Sequence, residues 1–199
     1  LSIQDPHLIR GKGGSCQKIH ADGLRDFFAD IRSRYSLDRI TFLCIGTDRS
    51  TGDALGPLTG SALCSYGFPH VVGTMSAPCD AASLEACITA IPENHIVVAV
   101  DACLGQALSV GSFLVSDEPL LPAQSVGHAL PAVGHYSVAA VVNVKGPKPY
   151  ATLQMTSLFH VMTMAGQIAT SAADAFGLLS EDKRSPVSTA GLWLNNIHN

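Results

Sequence analysis

The chain has 199 residues, of which 47% are hydrophobic and 14% charged, and a formal net charge of −4. That is enough apolar material for one domain with a buried core and too much for a disordered chain. The mild acidic balance leaves no electrostatic footprint for nucleic acid or anionic lipid, and the longest continuous apolar runs, at 96–100 and 138–142, fall far short of the roughly 20 residues that a bilayer span requires.

Residues 1–19 are rich in glycine and of mixed polarity, which predicts a mobile N-terminal arm. Residues 20–35 fit an amphipathic helix, with Leu24, Phe27, Phe28 and Ile31 on one side. A short apolar run at 39–45 ends at Gly46 and predicts a buried strand. The polar turn 47–53 follows, and then a helix over 54–66, in which Pro57 is tolerable only in the first turn. Residues 69–75 predict a strand, 81–90 a helix that stops before Pro92, and 95–100 a strand delivering Asp101 at its carboxyl end. A further strand is expected at 111–115. The connection 116–131 holds three prolines, and loops of that length in compact domains are often functional. Residues 137–144 and 150–155 flank Lys145-Gly146-Pro147-Lys148-Pro149 and predict two strands joined by a turn. The last strong helix is expected over 157–176, with Leu158, Val161, Met162, Ala165, Ile168, Ala169 and Ala172 on its apolar face. Residues 178–199 are expected to form a loose tail, with Trp193 its one bulky anchor. Alternating strands and helices with low aromatic content favour a single α/β domain over 20–177, its sheet covered on both faces.

Six cysteines occur without any C-x-x-C pair, and no segment reads as a secretion signal, which together predict a reduced, cytoplasmic protein. The alanine-rich helix faces are compatible with inward packing or with a homo-oligomer.

Ligands of open α/β folds gather beyond the carboxyl ends of strands, and two aspartates fall at such places. Asp53 follows the first buried strand in Gly52-Asp53-Ala54-Leu55-Gly56-Pro57, and Asp101 ends Ile96-Val97-Val98-Ala99-Val100-Asp101. Neighbouring strands would bring both carboxylates to one crevice, where a pair can serve as acid and base on a water or hold a metal. The alternative is structural: Asp53 as a helix N-cap and Asp101 as a turn cap. Asp48 is a lesser candidate, since loop aspartates commonly form Asx-turns. A cysteine nucleophile would best be Cys103, although buried cysteines are usually inert. No phosphate loop, H-E-x-x-H or G-x-S-x-G is present, and Arg49 stands where a D-S/T-G aspartate would be.

The segment Gly52–Pro57 after a strand ending in Gly46 resembles the germination protease family of spore-forming bacteria, and more closely its short relatives, the YyaC family of sporulation proteins. The resemblance continues at Val100-Asp101-Ala102-Cys103-Leu104. It extends more loosely over 122–134, Val141-Val142-Asn143-Val144 and Leu158-Phe159-His160-Val161-Met162. It implies a three-layer α/β/α sandwich of the phosphorylase/hydrolase-like type shared with hydrogenase maturation endopeptidases. It also implies peptide-bond hydrolysis by the aspartates matching Asp53 and Asp101, on a protein or peptide substrate, in a spore or forespore compartment. In the hydrogenase maturation enzymes the matching acidic positions and a later histidine bind nickel. The matching third partner here would be His135, with His128 second, so a divalent metal such as nickel or zinc on Asp53, Asp101 and His135 is one expectation. A metal-free carboxylate pair is another, with Asp48, His128 and His135 as substrate-binding residues. Two further readings keep the fold without peptidase turnover: a metal-binding protein, and an interaction module of the sporulation machinery that presents the 116–135 loop.

Overall fold

The computed structural model of the chain describes residues 16–122 and 132–179. Its sheet has six strands: β1 (Gln17–Ile19), β2 (Ile40–Cys44), β3 (Val71–Val72), β4 (Ile96–Gly105), β5 (Phe113–Ser116) and β6 (Tyr136–Val144), in the order β1-β5-β6-β4-β2-β3. Strands β3, β2, β4 and β6 run parallel, whereas β5 is antiparallel to β6 and β1 antiparallel to β5. Every residue of β2 is buried, the condition that a continuous apolar run meets only between two covering layers.

Those layers are unequal. Helices α1 (Ala21–Arg34), α2 (Leu55–Ser65) and α5 (Leu158–Ala175) cover one face, packing with Phe42 of β2, Val98 and Val100 of β4, and Val138 and Ala140 of β6. On α1 the buried residues are Leu24, Phe28 and Ile31, the i, i+4, i+7 stripe expected from the sequence. Helix α5 begins at Ser157, whose side chain accepts the His160 backbone N–H. The opposite face carries the short α3 (Leu84–Thr89), where Leu84 packs with Leu43, Ile45, Ala99 and Val133. The α/β/α sandwich is therefore present, with one layer much the thinner.

Several elements differ from their expected form. The end of the predicted arm is the edge strand β1, in register with β5 from Gln17↔Val115 to Ile19↔Phe113. The predicted tail begins too early, since Leu178 and Leu179 pack against the core. The strand expected at 69–75 contracts to two residues, because Gly73 takes a left-handed φ of 88°. The predicted strand at 150–155 is a helix, α4 (Pro149–Gln154). Proline fits the first turn of a helix, where its missing N–H would be unbonded anyway. Strand β4 runs on past Asp101 to Gly105 because β6 continues beside it, with a bulge between Cys103 and Leu104. Trp193, the arm before Cys16 and most of the 116–131 connection lie outside the described residues.

Candidate active site

The site is set by where β2 stops. Its last pair with β4 is Cys44↔Val100, and the Ile45 amide donates to the Val100 carbonyl at 2.7 Å. Asp101 is thus the first β4 residue beyond the reach of β2. From β2 the chain passes through α2 to β3 on one side, then returns through α3 to β4 on the other. Such a reversal of strand order opens a crevice at the carboxyl ends of the strands, the usual ligand position in open α/β sheets.

The loop after β2 folds back over this end. The Gly46 amide donates to the Cys79 carbonyl at 2.9 Å, the Thr47 amide to the Asp53 carbonyl at 3.1 Å, and the Gly52 amide to the Leu153 carbonyl of α4 at 2.8 Å. Gly46 has a φ of 148°, and a Cβ there would collide with the Asp53 carbonyl oxygen. A Cβ on Gly56 would collide with the Ile45 carbonyl. These glycines let the loop and the first turn of α2 lie directly on the strand end, which gives the Gly52–Pro57 motif a steric reason.

Asp53 sits one residue before the N-cap of α2, which is Ala54 and makes no side-chain cap bond. The expected capping role is thus not the one its position serves. Its carboxyl is half-buried, and burial pushes it above the usual carboxylate range, opposed by the Ser50 hydroxyl. Ser50 is buried, and its Oγ lies near enough to Asp53 to act on it while making no hydrogen bond of good geometry. Asp101 is also half-buried, with Oδ1 accepting the Ala102 amide at 2.8 Å. It stands within a strand rather than capping a turn. Asp48 is exposed in the turn.

Two residues that sequence reasoning passed over flank this end of the sheet. Cys79 bridges Ile45, and its thiol is pushed up first by burial, then by the Cys87 thiol, and further by the carboxylates of Asp80 and Asp101. That shift disfavours a thiolate. Burial opposes ionisation of Asp80, but the Ser83 amide and hydroxyl, the Ala82 amide and the Arg49 guanidinium outweigh it and hold its carboxyl below the usual range. Arg49 Nη2 lies 2.9 Å from Asp80 Oδ2. Asp80 stands just before α3, and its Oδ1 accepts both the Ala82 and Ser83 amides.

His135 lies at the other end of the sheet. Its amide donates to the Val97 carbonyl at 2.7 Å, and its Nδ1 accepts the Val97 amide at 2.9 Å. Val97 precedes Asp101 by four residues on β4, a separation of about 13 Å along a strand. His135 is therefore not brought to the aspartates as a shared ligand. His128 lies outside the described residues. Among the described residues no three His, Cys, Asp or Glu side chains gather as a metal site, so the expected Asp53–Asp101–His135 set does not fit a bound nickel or zinc. No helix of the described residues is long and apolar enough to cross a membrane.

The family model for a protein of unknown function, DUF1256, matches residues 17–171. The chain belongs to this family. It is 47% identical over 135 residues to the uncharacterized protein YyaC of Bacillus subtilis (strain 168), a match covering 65% of this chain and 66% of YyaC, just under two thirds of that relative. The resemblance carried by the two aspartate motifs is thus borne out. Among solved structures, the fold is similar to that of a [NiFe] hydrogenase maturation protease, HycI from Thermococcus kodakarensis KOD1, with a TM-score of 0.52 and 19% identity over 76% of this chain and 99% of that one. At that identity the likeness shows a protease-like fold and no more.

Proposed function

We propose that the chain is an endopeptidase of the spore and germination protease type, with Asp53 and Asp101 as its working carboxylates. The observation that carries this reading is their common placement: β2 and β4 are parallel neighbours, and Asp53 and Asp101 follow the end of their pairing where the strand order reverses. The division of labour follows from their surroundings. Burial favours the protonated form of Asp53, so Asp53 is the general acid. Asp101, with Oδ1 anchored by the Ala102 amide, is the general base. Asp101 takes a proton from water, and the hydroxide so formed adds to the scissile carbonyl carbon. Collapse of the tetrahedral intermediate breaks the C–N bond as Asp53 gives its proton to the leaving amine. No step is routed through a metal. A spore or forespore compartment belongs to the same proposal.

The test is terminal-amine profiling of a cell extract incubated with the purified protein. New N-termini should appear with the wild type and vanish with Asp53→Asn and with Asp101→Asn, both variants remaining folded. Cleavage retained in both variants, or none with the wild type, would overturn the reading. A pure interaction module would instead keep partner binding in both variants and release no new termini at all.

A further inference from the structure

Where β2 stops, it leaves a slot beside β4 that is lined by backbone. Strand β4 runs on to Gly105, but its pairing with β2 ends at Cys44↔Val100. The chain after β2 turns the other way: Ile45 bridges Cys79, and the Gly46 amide donates to the Cys79 carbonyl on the β3 side. Residues Asp101–Gly105 are thus paired with β6 alone, and among the described residues no strand lies along their other edge.

Alternation along a strand decides which backbone groups face that edge. The Val97 and Gly105 carbonyls accept the His135 and Lys145 amides on the β6 side, whereas the Val100 carbonyl accepts the Ile45 amide on the β2 side. Odd-numbered residues of β4 therefore bond toward β6, and the amides and carbonyls of Ala102 and Leu104 point into the slot. The bulge between Cys103 and Leu104 leaves this alternation intact, since Gly105 still bonds toward the end of β6. The Ala102 amide is taken by Asp101 Oδ1 at 2.8 Å, which holds that carboxylate at the slot. Among the described residues no backbone group bonds to the Ala102 carbonyl or the Leu104 amide. An acceptor and a donor two residues apart are the groups between which a parallel strand seats one residue. Exposed strand edges are usually blunted by lysine or proline, and Ala102-Cys103-Leu104 carries neither.

We infer that β4 beyond Val100 is a recognition edge, to which an extended polypeptide segment adds as a short strand in the place that β2 vacates. One residue of the segment gives its N–H to the Ala102 carbonyl and accepts the Leu104 amide. This rests on the peptidase reading for the identity of the segment as substrate. It defines the substrate class as a chain end or loop that can be drawn out straight and is read through its main chain. The polarity of the edge selects the occupant, because such an acceptor and donor at strand spacing complement a peptide backbone and not a lipid or an apolar side chain. A segment laid there passes the Asp101 carboxylate, the proposed base. A second folded copy is disfavoured because the overhang is short and shut at its inner end by the bond from Ile45 to Val100.

The experiment is fluorescence polarisation with a labelled library of short peptides built from Val, Thr, Ile and Lys, on the Asp53→Asn variant so that bound peptide is not cut. The same library methylated at every amide nitrogen serves as its counterpart. The methylated peptides should bind about tenfold or more weakly, since they cannot donate to the Ala102 carbonyl. On the protein side, Leu104→Pro removes the amide that faces the slot and no bond to β6, while Leu104→Ala removes the side chain and keeps the amide. In the same Asp53→Asn background, Leu104→Pro should bind about tenfold or more weakly than Leu104→Ala. If Leu104→Pro fails to fold, hydrogen exchange of the Leu104 amide, slowed on peptide saturation, takes its place. Equal binding of both libraries, no binding of either, or a Leu104 amide whose exchange the peptide leaves unchanged would overturn the recognition edge. So would equal binding by the two Leu104 variants, or a dimer in sedimentation that Leu104→Pro dissolves. The two readings fail separately. Binding that needs the peptide amides without any release of new termini from the extract would remove the peptidase alone. Cleavage that depends on the aspartates with equal binding of both libraries would remove the recognition edge alone.

Discussion

Asp53 is held in a folded environment that favours its neutral form, and this has a consequence for stability whose sign is fixed. Its folded carboxyl titrates above the unfolded one because of burial, the Ser50 hydroxyl only partly opposing this. The native state therefore keeps a proton that the unfolded chain has released, and stability falls as pH rises from the ordinary carboxylate range through the folded value. Asp53→Asn should raise the melting temperature at neutral pH, and the gain should vanish in acid below both values. Melting curves across pH check this, and a variant less stable than the wild type at neutral pH would contradict it. Ser50→Ala should cost little stability, since the hydroxyl makes no well-formed hydrogen bond. It should also move the Asp53 titration further up, readable by carbon NMR of the carboxyl. The sequence showed Asp53 as a candidate but not Ser50, because their proximity depends on how the 46–54 loop folds back. The same is true of Gly46, which is legible as a strand terminator while its close contact with the Asp53 carbonyl is not.

At the level of elements, the readable parts were those whose pattern is local. Helices α1 and α5 carry long stripes of period near 3.6, and β2 is a short run that is apolar except at Thr41, so each was located within a few residues. Helix α4 was misread because six residues with Tyr150 and Thr152 resemble a short strand, and only the preceding Pro149 argues for a helix start. The overrun of β4 past Asp101 was invisible for a different reason: it requires β6 alongside, a partner more than thirty residues away in the chain. Helix α4 nevertheless matters to the site, since it braces Gly52. Leu153 is 2% exposed and packs in the main core. Leu153→Ala should cost about 3 kcal/mol, in the range for buried large-to-small changes. It should also reduce cleavage beyond any loss of folded protein, because the brace under the Asp53 loop is loosened. Urea unfolding read beside specific activity separates the two effects. Activity that simply tracks the folded fraction would show that α4 does not position the loop.

For the molecule as a whole, the sheet has two chemically distinct ends, and the parallel register decides which residues share one. Asp53 and Asp101 belong to the carboxyl ends of β2 and β4. His135 directly precedes β6 and is tied to Val97 at the amino end of β4. In the sequence His135 follows Asp101 by a stretch long enough to reach either end, so its likeness to a ligand position could not be tested until the strand direction was known. The structure makes it a backbone partner: Nδ1 replaces a carbonyl as acceptor for the Val97 amide. His135→Ala should therefore cost about 1 kcal/mol, the usual net worth of one hydrogen bond, and leave cleavage per folded molecule unchanged, in contrast to the two aspartate variants. A loss of cleavage in His135→Ala as deep as that in Asp101→Asn would mean that the two ends of the sheet are coupled, and would reopen the assignment of the site to the carboxyl end alone.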